Sequence, residues 1–146
     1  MPVIVHTATT KLPGHAVIIS HRLRETAVSK LLVNATHGPE DAERAILPFV
    51  VGNVAATADQ EAVVLLTIEG VWLATNRCAG AVQKDGFPPL QEVVQSFVAN
   101  GGQIWACGAC TKPRGIGAAD LIDGARIVTA ANVVEYMAAG AATLSF

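Results

Sequence analysis

Reactive side chains gather at one place in this chain: Cys107-Gly108-Ala109-Cys110-Thr111-Lys112-Pro113-Arg114, where two cysteines and two cations follow a short apolar run behind Gly101-Gly102. In a Cys-x-x-Cys pair one thiolate attacks and the other resolves the product, while nearby cations lower the pKa of the attacker. Lys112 and Arg114 could supply that field. Cys107 is the favoured nucleophile because it directly follows the run Gln103 to Ala106. Two other readings of the pair stay open. The thiols could be inert, since free cysteine is often core, or they could be half of a zinc site. A four-cysteine site needs a second pair that the chain lacks, with only Cys78 and a histidine as substitutes, so no metal is expected.

The elements that must position the dithiol are legible from apolar period and turn residues. Lys30 to Thr36 reads as a strand ending in His37-Gly38-Pro39-Glu40-Asp41, where Pro39 and two acids suit a helix start. That helix is expected to run towards Ala58, with Pro48 breaking it into two pieces. Glu61 to Ile68 is a near-continuous apolar run with β-branched residues, as in a strand covered on both faces, and it ends at Glu69-Gly70-Val71-Trp72. Leu73 to Gln83 reads as a short helix and a loop, Lys84 to Pro89 as a turn, and Leu90, Val93, Val94, Phe97 and Val98 as a helix stopped by Asn100-Gly101-Gly102.

Gln103 to Ala106 is then a strand, Asp120 to Gly124 a helical turn, Ala125 to Val128 a strand and Ala130 to Ala139 a helix with Val133, Val134 and Met137 inward. Ala141 to Phe146 is a last strand. Strands separated by helix-length segments imply parallel pairing and a three-layer α/β/α sandwich of about five strands. Residues 1–29 read as an N-terminal extension that packs on the domain or on a neighbouring subunit, and 30–146 as one α/β domain.

The totals set further bounds. At 146 residues, one core is expected; 51% hydrophobic content with 5% aromatics makes it a core of Ala, Val, Ile and Leu. Only 15% of residues are charged. Such thin polar coverage points to apolar surface buried between subunits, hence a homo-oligomer. A net charge of -2 and a pI near 6.0, with no Lys/Arg block, argue against nucleic acid as a partner. The apolar runs are too short to span a bilayer and the amino end lacks a secretory pattern, so no membrane partner and a cytoplasmic location are expected. Three cysteines fit thiols kept reduced.

In an open parallel sheet, ligands gather beyond the carboxyl ends of strands. The loops Thr36 to Pro39, Glu69 to Val71 and Cys107 to Cys110 could therefore share one rim, adding His37 and Glu69 to the two thiols. His37 either lines the site or caps its loop, and Glu69 is either a site carboxylate or a structural acceptor. Cys78 reads as a packing residue, and Trp72 and Trp105 as core or interface aromatics. Gly38 alone is a weak phosphate signal, so no nucleotide and no other cofactor is expected. A thioredoxin fold is disfavoured because Gly115 and Gly117 oppose the long helix that should follow the pair.

Ala35-Thr36-His37-Gly38-Pro39-Glu40-Asp41-Ala42-Glu43-Arg44-Ala45, Glu69-Gly70-Val71-Trp72-Leu73-Ala74, Gly86-Phe87-Pro88-Pro89-Leu90, the Cys107 loop and Asp120-Leu121-Ile122-Asp123-Gly124-Ala125 together resemble the DsrE/DsrF-like (YchN-like) family. The resemblance covers about residues 30 to 146. It implies a flavodoxin-like sandwich assembled as trimers or hexamers, with cysteine-bearing loops near subunit interfaces. It also implies sulfur relay, in which a cysteine persulfide, here on Cys107 or Cys110, passes between sulfur donor and acceptor proteins. In that reading Cys110 takes the sulfur from Cys107 or releases it by forming a disulfide, and Lys112 and Arg114 stabilise the anion. A non-catalytic oligomeric module that binds a small anion or partner protein, and a dithiol oxidoreductase, are the alternatives.

Overall fold

In the computed structural model, residues 28–146 are described. In chain order they form β1 (Lys30–Ala35), α1 (Ala42–Thr57), β2 (Glu61–Leu66), a 3-10 helix (Ile68–Ala74), α2 (Leu90–Ala99), β3 (Gln103–Cys107), α3 (Gly108–Thr111), β4 (Ala125–Val128), α4 (Ala130–Ala138) and β5 (Ala142–Ser145). Two further 3-10 turns, Lys112–Arg114 and Ala118–Asp120, lie between α3 and β4. All strand pairs are parallel, in the order β4-β3-β2-β1-β5. The expected extension falls on residues 1–29 and so lies outside the described residues, apart from Val28 and Ser29. The Ser29 carbonyl already accepts from the Glu61 N–H at 2.9 Å.

The alternation of side chains along each strand sorts the core into two layers. Val33, Val64, Leu66, Ile104 and Ala106 face α1 and α2, where Ile46, Phe49, Leu90 and Phe97 are fully buried. Phe49 and Phe97 meet edge to face, centroids 6.0 Å apart. On the other side Leu32, Val63, Leu65, Trp105 and Val128 pack against Tyr136 of α4. β2 is buried from Ala62 to Leu66 because it lies in the middle of the sheet with both faces covered. β5 is an edge strand, and all four of its residues are exposed.

Four expectations shift. The helix after β1 begins at Ala42 rather than Pro39, capped by the Asp41 carboxylate, which accepts from the Arg44 N–H at 3.1 Å. It then continues through Pro48 as one helix of 16 residues. The proline forfeits one bond, to the carbonyl of Arg44, an exposed residue that water can serve, while its ring is buried against the sheet. The short helix expected within 73–83 is the 3-10 helix Ile68–Ala74, and the turn expected at 120–124 lies earlier, at Ala118–Asp120.

A further shift concerns α4. Val133 does pack inward, but Val134 and Met137 are 64% and 46% exposed, and Tyr136 is the buried residue. Residues 133 and 136 share one helical face and 134 and 137 the next, so whichever pair docks turns the other out. Tyr136 decides it. Its ring lies edge-on to Trp105 at 5.2 Å, and its hydroxyl donates to the Glu61 carbonyl at 3.0 Å. Burial, with the charge of Glu61 added, pushes the phenol up to about 12, so it remains a donor. In urea unfolding, Tyr136→Ala should cost about 3 kcal/mol, through lost burial and an orphaned carbonyl, whereas Val134→Ser should stay within about 0.5 kcal/mol. Equal costs would mean that α4 docks through its other face.

Candidate functional site

β1, β2 and β3 lie side by side and parallel, so the loops that leave their carboxyl ends emerge on one rim. The first two loops are pressed together backbone to backbone. Gly70 donates its N–H to the Thr36 carbonyl at 3.2 Å, and the Thr67 N–H reaches the Ala35 carbonyl at 2.9 Å. A Cβ on Gly38 would run into the Glu69 carbonyl, and a Cβ on Gly70 into the Ala35 carbonyl. These two glycines are required by that close approach.

Between the clamped positions sits Ile68, with φ of +53°. A β-branched residue in the left-handed region is a true outlier, costing on the order of 1–2 kcal/mol. Its N–H points at the third loop, donating to Cys110 Sγ at 3.3 Å. Its side chain is 54% exposed.

The dithiol spans the end of β3 and the start of α3, with Cys107 at the cap position and Cys110 in the first turn. All three cysteines are free thiols. Burial pushes the Cys110 thiol above its usual value and Cys107 beside it adds to this, while the Ile68 N–H and the Arg114 charge pull the other way. Cys107 opens on the opposite side, into a cleft of about 250 Å³ lined by Leu65, Thr67, Val128, Val133 and Val134. A larger cleft of about 450 Å³ runs along α2 between Gln91, Val98 and Ile122, but it holds none of the reactive groups.

Arg114 reaches back across the rim. It donates to the Cys110 carbonyl at 2.9 Å and forms an ion pair with Glu69, whose other oxygen accepts from Trp72 Nε1 at 3.0 Å. The guanidinium holds the Glu69 carboxyl below the usual glutamate range. Glu69 thus ties the second loop to the third. The other two candidates stay apart from the thiols: Lys112 is exposed and its ammonium makes no hydrogen bond or ion pair among the described residues, and His37 is turned towards Thr36 Oγ1 (2.9 Å) and Arg44 (3.3 Å). Cys78 sits half-buried in the turn after the 3-10 helix. No group of three potential metal ligands occurs among the described residues. Sequence reasoning missed Ile68 and the part played by Trp72. A backbone donor leaves no mark in residue types, although the spacing of Glu69 and Trp72 on one helical turn was readable.

The DsrE/DsrF-like family model matches residues 29–146. The chain belongs to this family. The YchN protein of E. coli superposes with a TM-score of 0.68 at 18% identity, over 82% of this chain and 100% of that one. MTH1491 of Methanobacterium thermoautotrophicum, a protein of unknown function, gives 0.64 at 17% identity, over 81% and 99%. At that identity the likeness establishes the fold. In sequence, the uncharacterized MJ0760 of Methanocaldococcus jannaschii is 27% identical over 112 residues, 77% of this chain but 41% of its own length. The uncharacterized MK0008 of Methanopyrus kandleri is 24% identical over 110 residues, 75% of this chain and 88% of that protein. The match thus spans about two-fifths of the first relative.

Two predictions test the rim. Asparagine tolerates the left-handed region, so Ile68→Asn should stabilise the fold by about 0.5–1 kcal/mol in urea unfolding; destabilisation would mean that the side chain packs more than its exposure suggests. A depressed carboxyl contributes stability that is present above the ordinary glutamate range and is lost as pH falls through its lowered value. The difference in urea midpoint between the native protein and Glu69→Gln should therefore shrink as the pH is taken below about 4. A difference independent of pH would exclude the ion pair as its source.

Proposed function

We propose that the protein is a thiol-based sulfur carrier in which Cys107 holds sulfane sulfur as a persulfide. The observation that carries this reading is the asymmetry of the dithiol. Cys107 lines an open cleft, whereas Cys110 lies against the second loop, its sulfur accepting from the Ile68 N–H and its thiol pushed up by burial. The thiol that lines the open cleft is the one a donor persulfide can reach. Membership of the family, which is linked to sulfur relay, supports the same chemistry.

The transfer needs no oxidant. The Cys107 thiolate attacks the outer sulfur of a donor persulfide, R–S–SH. The donor's S–S bond breaks, the donor leaves as a thiolate and the sulfane sulfur becomes Cys107–S–SH. An acceptor thiolate then attacks that outer sulfur and regenerates Cys107. Glu69 and Arg114 keep the loops in register, with Arg114 bonded to the carbonyl of Cys110. Partners of this reading are a sulfur donor and a sulfur acceptor protein. A trimeric or hexameric assembly would cover Val134, Met137 and the 42% exposed Leu144. The Cys-x-x-Cys spacing of these two free thiols favours one second reading, dithiol oxidoreduction without sulfur transfer.

Mass spectrometry of the folded protein after incubation with a persulfide donor decides between them. The carrier reading expects the mass of one added sulfur atom on the peptide bearing Cys107, removable by a thiol acceptor and absent in Cys107→Ser. A protein that only loses two hydrogens, with no sulfur gained at any time, would instead be an oxidoreductase.

A further inference from the structure

We propose that the left-handed backbone at Ile68 readies Cys110 to discharge the Cys107 persulfide, giving the site a second exit for its sulfur, as hydrosulfide. The inference rests on the carrier reading and adds an activity to it. It starts from a cost with no local return. Of the two non-glycine residues with positive φ among the described residues, Asp59 (+57°) lies in the turn after α1, and aspartate tolerates that region. Ile68 is β-branched, and its side chain is mostly in solvent, so the strain does not serve packing. What the conformation does achieve is to aim one N–H at Cys110 Sγ. Strain of this kind persists only where surrounding structure fixes it, and here Thr67 and Gly70 on either side are bonded to the β1 loop.

Cys110 needs such a donor. To attack, it must lose a proton from a position where burial and the neighbouring thiol oppose the charge. The cations of its own loop offer limited help. Arg114 is engaged by Glu69 and by the Cys110 carbonyl, and Lys112 is exposed, its ammonium without partners among the described residues. The Ile68 N–H is the group from outside the dithiol loop that bonds the sulfur. A hydrogen bond to an ionised acceptor is about twice as strong as one to a neutral acceptor, so this contact strengthens as the thiolate forms.

The step balances as follows. Cys110 gives its proton to solvent, and its thiolate attacks Sγ of Cys107–S–SH. The Cys107–Cys110 disulfide forms, the bond from Cys107 Sγ to the outer sulfur breaks, and HS⁻ leaves with the bonding pair. Sulfane sulfur is reduced to sulfide and the dithiol is oxidised. A solution dithiol such as dithiothreitol resets the pair by thiol–disulfide exchange. A loaded carrier that meets no acceptor is thereby emptied.

The test replaces Ile68 by its α-hydroxy acid analogue, which puts an ester oxygen where the N–H was, with circular dichroism to confirm folding. Protein loaded from a persulfide donor and freed of donor and acceptor is followed for hydrosulfide released per loaded Cys107 and for the intramolecular disulfide. Cys110 alkylation is followed against pH in the unloaded protein. The native protein should release hydrosulfide with disulfide formation, and Cys110→Ser should not. The ester should slow release about tenfold, the worth of one hydrogen bond to a charged sulfur, and move the alkylation midpoint of Cys110 to higher pH. If the ester fails to fold, Gly70→Ala, whose Cβ meets the Ala35 carbonyl and so shifts the second loop and the Ile68 N–H away from Cys110, should slow release several-fold. Release and alkylation unchanged in a folded variant would overturn the proposal, as would a native protein that loads and keeps its sulfur. A native protein that never loads would sink the carrier reading as well, which separates the two failures.

Discussion

The site depends on the contact between the loops that follow β1 and β2. Parallel neighbouring strands end at the same level, so their exits compete for space, and here the competition is resolved by removing two Cβ atoms. Gly38 and Gly70 let the chains touch through main-chain atoms alone. The hydrogen bonds from Thr67 and Gly70 to Ala35 and Thr36 then fix the path of the second loop, and Ile68 between them has to turn left-handed. The direction of its N–H, the placement of Glu69 and the seat of Cys110 all follow from this.

Electrostatics plays a smaller part than the composition of the dithiol loop suggests. A lysine and an arginine close to two cysteines read as a field for a thiolate. In the folded protein Arg114 is shared with Glu69, and an ion pair this open to solvent contributes little to stability. Its value is geometric, since Glu69 also accepts from Trp72 Nε1 and Arg114 also donates to the Cys110 carbonyl. The local field at Cys110 comes from an oriented backbone N–H and from burial working against it.

The two faces of the sheet are unequally covered. α1, α2 and the 3-10 segments cover one face with a continuous apolar cluster, while the other has the nine-residue α4 across a smaller one. The chain steps from β1 to β4 in one direction and returns through α4 to place β5 beside β1. This leaves Val134, Met137 and Leu144 partly exposed on the less covered side, close to the cleft onto which Cys107 opens.

The sequence by itself determined the strands, their parallel pairing, α2 and the gathering of three loops on one rim. Each rests on a local or periodic signal: β-branched runs, the 3.6-residue spacing of Leu90, Val93, Val94 and Phe97, and turn glycines. It also named Cys107, Cys110, Glu69 and Arg114, because reactive types in a loop are visible without coordinates. The tertiary structure alone decided what depends on a partner distant in sequence. Pro48 continues a helix because its ring is buried and the carbonyl it leaves free is on an exposed residue. Val134 and Met137 face out because Trp105 and the Glu61 carbonyl claim Tyr136. His37 and Lys112 lie apart from the thiols, and Ile68 supplies a donor, because side-chain direction and backbone torsion are set by packing between loops that residue types do not encode.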